Sequence, residues 1–562
     1  MNQSKLNSLP RWAWTSLAAL ILCVCCVNSA LLSQSRDNSA TQAAAERTAR
    51  EGQYRIAGIL VNSITGEPVR RATVAVLAES NSRTIASVGS DSEGRFSLER
   101  LPVASYQLTA SKRGFRTGFF DEHDEFSSAI VTGADQDTTH LVFRLTPNAV
   151  LRGVVSGDGG DPVDGARVLL FQRPQHHDPG ERTTQVDATV TDDTGAYEFS
   201  NLASGEYLLA VVAEPWYAQH GSENGPQATK ANTELDVAYP VTYFDSTNDE
   251  AAAAPIVLTA GSRAEANVNL HAVPALHLSI ATPRKQDGSI ARAELQKTVF
   301  GTVVTAESAG FIDSMRTGKV EMNGIAPGRY QLVQGDPPRV VDLDLLASLQ
   351  VDPNVGSPAA VVTGTLQLDS GLAAPDEVNL TFDRLDNVPG PGQLVAVAHK
   401  GRFKFDNVTP GSWTLWAVSG DKALSVVATT TGRAQRAGNI VTVRDQPLNL
   451  VVTVSQGATR VEGFATKAGK SVAGAMVVLL PKDTGAWQSL ARRDQSNSDG
   501  SFALRDVAPG QYTLVAIQDG WSLDWWRPEL MGRYLPGGTA VTVTGKSGSL
   551  MRLPATVAVQ MR

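Results

Sequence analysis

A fifteen-residue phrase recurs five times in this chain and limits what the chain can fold into. Its last copy, Gly500 to Leu514, reads Gly-Ser-Phe-Ala-Leu-Arg-Asp-Val-Ala-Pro-Gly-Gln-Tyr-Thr-Leu. Earlier copies start at Gly94, Gly195, Gly318 and Gly401. Two residues after each of these glycines stands Phe96, Tyr197, Val320 or Phe403, and seven after stands Leu101, Leu202, Ile325 or Val408. Twelve after comes Tyr106, Tyr207, Tyr330, Trp413 or, in the last copy, Tyr512; fourteen after comes a leucine in every copy. Apolar side chains alternate with polar ones and a turn breaks the run. That pattern predicts two short antiparallel strands facing one core. The aromatic residue twelve after each glycine is predicted to lie in that core.

The five glycines are 101, 123, 83 and 99 residues apart, about the size of one domain each. The sequence therefore predicts an all-β chain, a string of about five Greek-key, Ig-like β-sandwiches. Expected boundaries are 53–147, 148–273, 274–355, 356–456 and 457–562. Turn formers precede the phrase at Asp91-Ser92-Glu93, Asp192-Asp193-Thr194 and Asn497-Ser498-Asp499. They predict a tight hairpin whose glycine takes positive φ. Ala72, Ala166, Ala293 and Ala475 recur upstream and predict close approach of one sheet to the other. Opening strands are weakest in the third and fourth copies. The 49 glycines and 28 prolines suit many short strands and turns.

All three cysteines, Cys23, Cys25 and Cys26, lie near the N-terminus, which excludes a disulfide framework or thiolate metal site in the body. Each module must then be held by its hydrophobic core. A net charge of −8 without a basic stripe argues against a nucleic-acid partner. Lys5 and Arg11 precede an apolar run from Trp12 to about Val27 that ends in Asn28-Ser29-Ala30. This reads as a helical signal peptide over 1–30, with an uncleaved membrane anchor as the competing reading. Residues 31–52 read as a linker. Membrane association is expected only through the N-terminal segment.

Pro162-Val163, Ala166, Val168, Thr191-Asp192, Gly195, Tyr197, Phe199, Leu202, Gly205, Tyr207 and Leu209 together resemble the carboxypeptidase regulatory-like domain. The resemblance covers about 53–562 and is strongest in the first, second and fifth modules. Tyr239-Pro240-Val241-Thr242-Tyr243-Phe244 resembles an extended tail found in bacterial multi-copy versions. The resemblance implies a transthyretin-like sandwich, grouped with carbohydrate-binding-like folds, and a non-catalytic module found in strings on exported proteins. It brings no catalytic residues.

Little in the residues points to chemistry. His176-His177 read as a solvated loop, since adjacent strand side chains point opposite ways. Asp192-Asp193-Thr194-Gly195 and Asp483-Thr484-Gly485 carry aspartic-protease letters at unmatched places, so they read as turns. Asp158, Asp161 and Asp164 lack the spacing of a calcium loop and also read as a turn. The chain is expected to be no enzyme and to hold no metal or cofactor. The ligand-binding candidates are aromatic: Trp216, Tyr217 and Tyr243 in module two, and Trp521, Trp525 and Trp526 in module five. Flat rings stack on sugars; equally, they cap a sandwich and bury its core. The expected function is a non-enzymatic exported scaffold or binder of the cell envelope, in the periplasm, at the surface or secreted. Its expected partners are polysaccharide or envelope proteins. The alternative is a carbohydrate-binding protein using those loop aromatics.

Overall fold

The computed structural model describes residues 52–562 except 80–81, 175–182, 221–233, 282–292, 309–318, 336–338, 353–354, 370–373, 387–391, 421, 456–458 and 545–548. The expected N-terminal apolar helix and His176-His177 lie outside these. Among the described residues no helix is long and apolar enough to cross a membrane.

The chain is all-β, and one strand plan recurs five times. In the first module Tyr54–Asn62 runs antiparallel to Arg95–Leu101 and parallel to Leu141–Leu145. The facing sheet orders Thr84–Gly89, Thr73–Ala78 and Ser105–Ser111, with Thr84–Gly89 at its edge. The opening strands Ala149–Ser156, Leu276–Ala281, Ala360–Leu368 and Thr459–Lys467 each pair the same way, antiparallel to the first strand of the phrase and parallel to a closing strand. The weak third and fourth opening strands thus form like the others.

One expectation is corrected. The two strands of each phrase do not pair with each other, and in modules one, two and five the turn before the glycine does not close a paired hairpin; in module four it does, through His399 and Arg402. In module one Arg95–Leu101 lies in one sheet, while Thr84–Gly89 and Ser105–Ser111 lie in the other. Both phrase strands still face one core, from opposite sides. Two devices carry the chain across. The glycine turn uses φ of +74°, +73°, +74° and +80° at Gly94, Gly195, Gly401 and Gly500. Six residues later the backbone turns left-handed again, at Arg100, Asn201, Gly324, Asn407 and Asp506. There the pairing slips by one residue in all five copies, a β-bulge that bends the strand out of its sheet.

Five core clusters follow the five phrases, each drawn from its own stretch of chain. Tyr106, Tyr207, Tyr330, Trp413 and Tyr512 are all buried in them. Each also solves a polar problem. The ring's O–H or N–H donates to the carbonyl four residues earlier: Pro102, Ala203, Ala326, Thr409 or Ala508, at 2.7–3.1 Å. A phenylalanine would remove that donor, leaving the Pro102 carbonyl with Thr132 Oγ1 alone and costing the other four carbonyls this bond. In modules one, two and five a hydroxyl adds a second pin. Ser90, Thr191 and Ser496 accept from the Ala72, Ala166 and Ala475 amides and donate to the Val69, Val163 and Val472 carbonyls. Those alanines are fully buried, consistent with close sheet packing.

Module four departs from an open sandwich. Lys422–Thr431 is ten residues long. Its first residues pair with Gly411–Ser419 and its remainder with Leu448–Ser455. That strand and the pairing of Gln393–His399 with Arg402–Val408 join the two sheets into a single nine-stranded sheet.

Candidate functional site at the junction of modules one and five

After Ser105–Ser111 the first module extends a small hairpin, Glu122–His123 paired with Phe126–Ser127. This stretch reads Asp-Glu-His-Asp-Glu-Phe, mostly charged. The fold inserts it against module five. Trp521 is 7% exposed; its ring stacks on His123 at 5.4 Å between centroids and packs on Phe126 at 5.5 Å. The indole N–H donates to the Gly474 carbonyl at 3.0 Å, which fixes the ring within its own module. Arg493 lies over the rings of Phe126 and Trp525 and pairs with Asp124 at 3.3 Å.

Beside the rings runs a polar seam. Gln495, 1% exposed, donates to the Asp121 carbonyl at 2.5 Å and to Ser128 Oγ at 2.8 Å, while its oxygen faces His123 Nδ1 at 3.2 Å. Ser128 Oγ donates to the Ser496 carbonyl. The Ala129 and Val131 amides donate to the Asn497 and Ser498 side chains, and the Ser498 amide donates back to the Ala129 carbonyl. The turn formers before the fifth phrase therefore serve as docking groups. Modules one and five are clasped together by bonds between residues 367 to 374 apart in sequence. Burial pushes the Asp494 carboxyl up to about 6, even though it accepts from the Ala503 amide.

The predicted aromatic candidates separate into three settings. Trp521 and Trp525 come together, but module one's hairpin occupies the surface they offer. Trp526 stacks with Arg527 at 5.0 Å. Tyr243 is 2% exposed, packed edge-on to Phe300 of module three at 5.0 Å and bonded to Glu250. Tyr217 is half-buried, and Trp216 is 87% exposed. Trp216 is thus the most exposed of the candidate rings. The clasp residues Asp121, His123, Phe126 and Gln495 escaped the sequence reading. Nothing in a linear pattern links two segments this far apart.

The turn readings of the acidic segments agree with their bonds. Asp192 accepts from the Thr194 and Ala196 amides, and Asp483 from the Gly485 amide. Asp158 gives one oxygen to His271 and the other to the Ala272 amide, which lowers its pKa. Among the described residues no group of three or more His, Cys, Asp and Glu is placed to hold a metal ion.

A second inter-module contact carries histidines. Asp236, in module two, accepts from His220 at 2.9 Å and from His277 of module three at 2.7 Å. His277 Nδ1 faces Asn323 at 2.9 Å.

Residues 55–146 match the family model of the carboxypeptidase regulatory-like domain. The first module is a domain of that family, and the other four repeat its strand plan around the same phrase. No curated protein matches the sequence. Solved structures with some likeness include the Bacillus anthracis TIE protein, at 10% identity and TM-score 0.15, covering 87% of this chain and 68% of that one. A streptococcal ancillary pilin is 13% identical with TM-score 0.17, over 54% and 99% of the two chains. Two B repeat units of the Staphylococcus aureus collagen-binding protein are 11% identical with TM-score 0.12, over 72% and 99%. Scores this low carry no argument about what this chain does.

Proposed function

We propose that this chain is a non-enzymatic, exported scaffold or binding protein of the cell envelope, folded back on itself by the clasp between modules one and five. The clasp supports this reading most directly. The surface that carries Trp521 and Trp525 is spent on holding two modules together. Asp192 serves as a turn group, Ser90, Thr191 and Ser496 as pins, and Gln495 and Asn497 as docking groups. A signal-type N-terminal sequence supports export. The test is to follow the full chain in its host by fractionation and protease shaving, and to assay the purified chain on peptide and glycan panels. Recovery from the envelope, with capture of envelope proteins and no turnover, is the expected result. Recovery from the cytoplasm, or hydrolysis of either panel, would overturn the proposal.

The exposed Trp216, set edge-on to Tyr217 at 5.8 Å, favours a second reading, a sugar-binding loop on module two. Glycan-array binding lost in Trp216→Ala and kept in Trp525→Ala would support it.

A further inference from the structure

A cavity of about 650 Å³ opens beside the clasp, between modules one and five. Its charged lining is mostly guanidinium: Arg83 and Arg100 from module one and Arg460 and Arg505 from module five, against Glu79 and Glu99. Arg505 reaches Glu79 at 3.4 Å, and Arg460 reaches Glu462 at 2.8 Å. Arg100 is exposed and makes no ion pair among the described residues.

Two further observations give the cavity a direction. The first is backbone strain. Arg100 has φ of +58°, and the same repeat position in the other four modules is Asn201, Gly324, Asn407 and Asp506. Those residue types tolerate the left-handed region; arginine does not share their local compensation. A module that needed only the bulge would be served by the other modules' choice. Strain kept at one copy points from structure toward use. The second is an open sheet edge. Thr84, Ile85 and Ala86 line the cavity and belong to Thr84–Gly89, the edge strand of its sheet. The outer side of that strand pairs with no strand among the described residues. An edge of this kind is a template for a further strand, and basic side chains around it select for acidic ones.

We propose that this cleft is a docking site for an extended acidic peptide, added as a strand against Thr84–Gly89, with Arg100 binding its carboxylates. Arg505 and Arg460 reach the site only when modules one and five are clasped. Peptide binding and clasp closure therefore strengthen each other by the same factor. The inference rests on the clasp and is independent of where the protein resides.

The test is calorimetric titration of the full chain with a seven-residue alternating Glu/Val peptide. The controls are the same peptide with a central proline, a Lys/Val peptide, and a short oligouronate. The acidic peptide is expected to bind. The proline peptide, which cannot donate to the edge, and the lysine peptide are expected to bind at least tenfold more weakly. Arg100→Asn is expected to weaken binding at least tenfold while melting no lower than the parent chain. That combination separates a ligand role from a structural one. Gln495→Leu, which opens the clasp, should weaken binding as well. No binding by the acidic peptide, equal binding by the proline peptide, an unchanged affinity in Arg100→Asn, or tighter binding of the oligouronate would each overturn the proposal.

Discussion

Replacing Gln495 by leucine would remove the polar centre of the clasp while keeping the side chain's bulk. Gln495 ends the edge strand Arg492–Gln495 and points at module one, so the core of module five keeps its contacts. Four groups of module one lose a partner: the Asp121 carbonyl and carboxylate, Ser128 Oγ and His123 Nδ1. Ser128 keeps its bond to Ser496, and His123 keeps its stack on Trp521. The Asp121 carbonyl bears most of the loss. A buried group left unsatisfied costs about 1–3 kcal/mol, so with a smaller share from the other three the clasp should weaken by about 2–4 kcal/mol. At about 1.4 kcal/mol per tenfold, its opening equilibrium shifts by about thirtyfold to several hundredfold. The assay is amide hydrogen exchange. Ala129 and Val131 donate across the seam, so their protection reports closure. Their exchange should quicken by that factor in the variant, while Val477 and Leu514, in the core of module five, stay protected. Unchanged protection at Ala129 and Val131 would refute the reasoning. Equal loss at Leu514 would show that Gln495 supports the module rather than the clasp.

Tyr512→Phe removes a donor from the buried Ala508 carbonyl and should destabilise module five by about 1–2 kcal/mol, read by chemical denaturation followed at its tryptophans. Burial holds the Asp494 carboxyl at a folded pKa of about 6, above the ordinary carboxylate range. The native state therefore holds the proton more tightly, and module five should lose stability as pH rises from about 4 to 6. Asp494→Asn should flatten that slope; a slope unchanged in the variant would assign the effect elsewhere. For His277, burial works to lower the pKa, yet its bonds to Asn323 and Asp236 and the charges of Asp236 and Glu321 raise it overall. The folded value lies above the unfolded one, so its contribution is complete below pH 6.5 and is lost as pH rises through the folded value. Exchange protection around Asp236 should fall over that range and lose its pH dependence in His277→Gln.

The repeat was legible because it is local. Offsets of two, seven, twelve and fourteen residues encode which side chains face the core, and Phe96, Tyr207 and Leu514 all lie there. The crossing between sheets was not legible. Alternation shows which face a residue takes but not which sheet carries it, and the left-handed residue that makes the crossing is Arg in one copy and Asn, Gly or Asp in the others. The polar tip at offset twelve was in plain view as Tyr or Trp in every copy, yet its acceptor four residues back emerged only with the turn geometry. Trp521 and Tyr243 were marked for their ring chemistry. Sequence could not show that His123 and Phe300, from other modules, would cover them.

The clasp is tested most directly by a distance. With Cys23, Cys25 and Cys26 replaced, the body offers no other thiol, so spin labels at Glu125 and Arg505 report solely on modules one and five. A closed chain predicts one narrow, short distance that broadens and lengthens in Gln495→Leu. A broad, long distribution in the parent chain, indifferent to that substitution, would contradict the account.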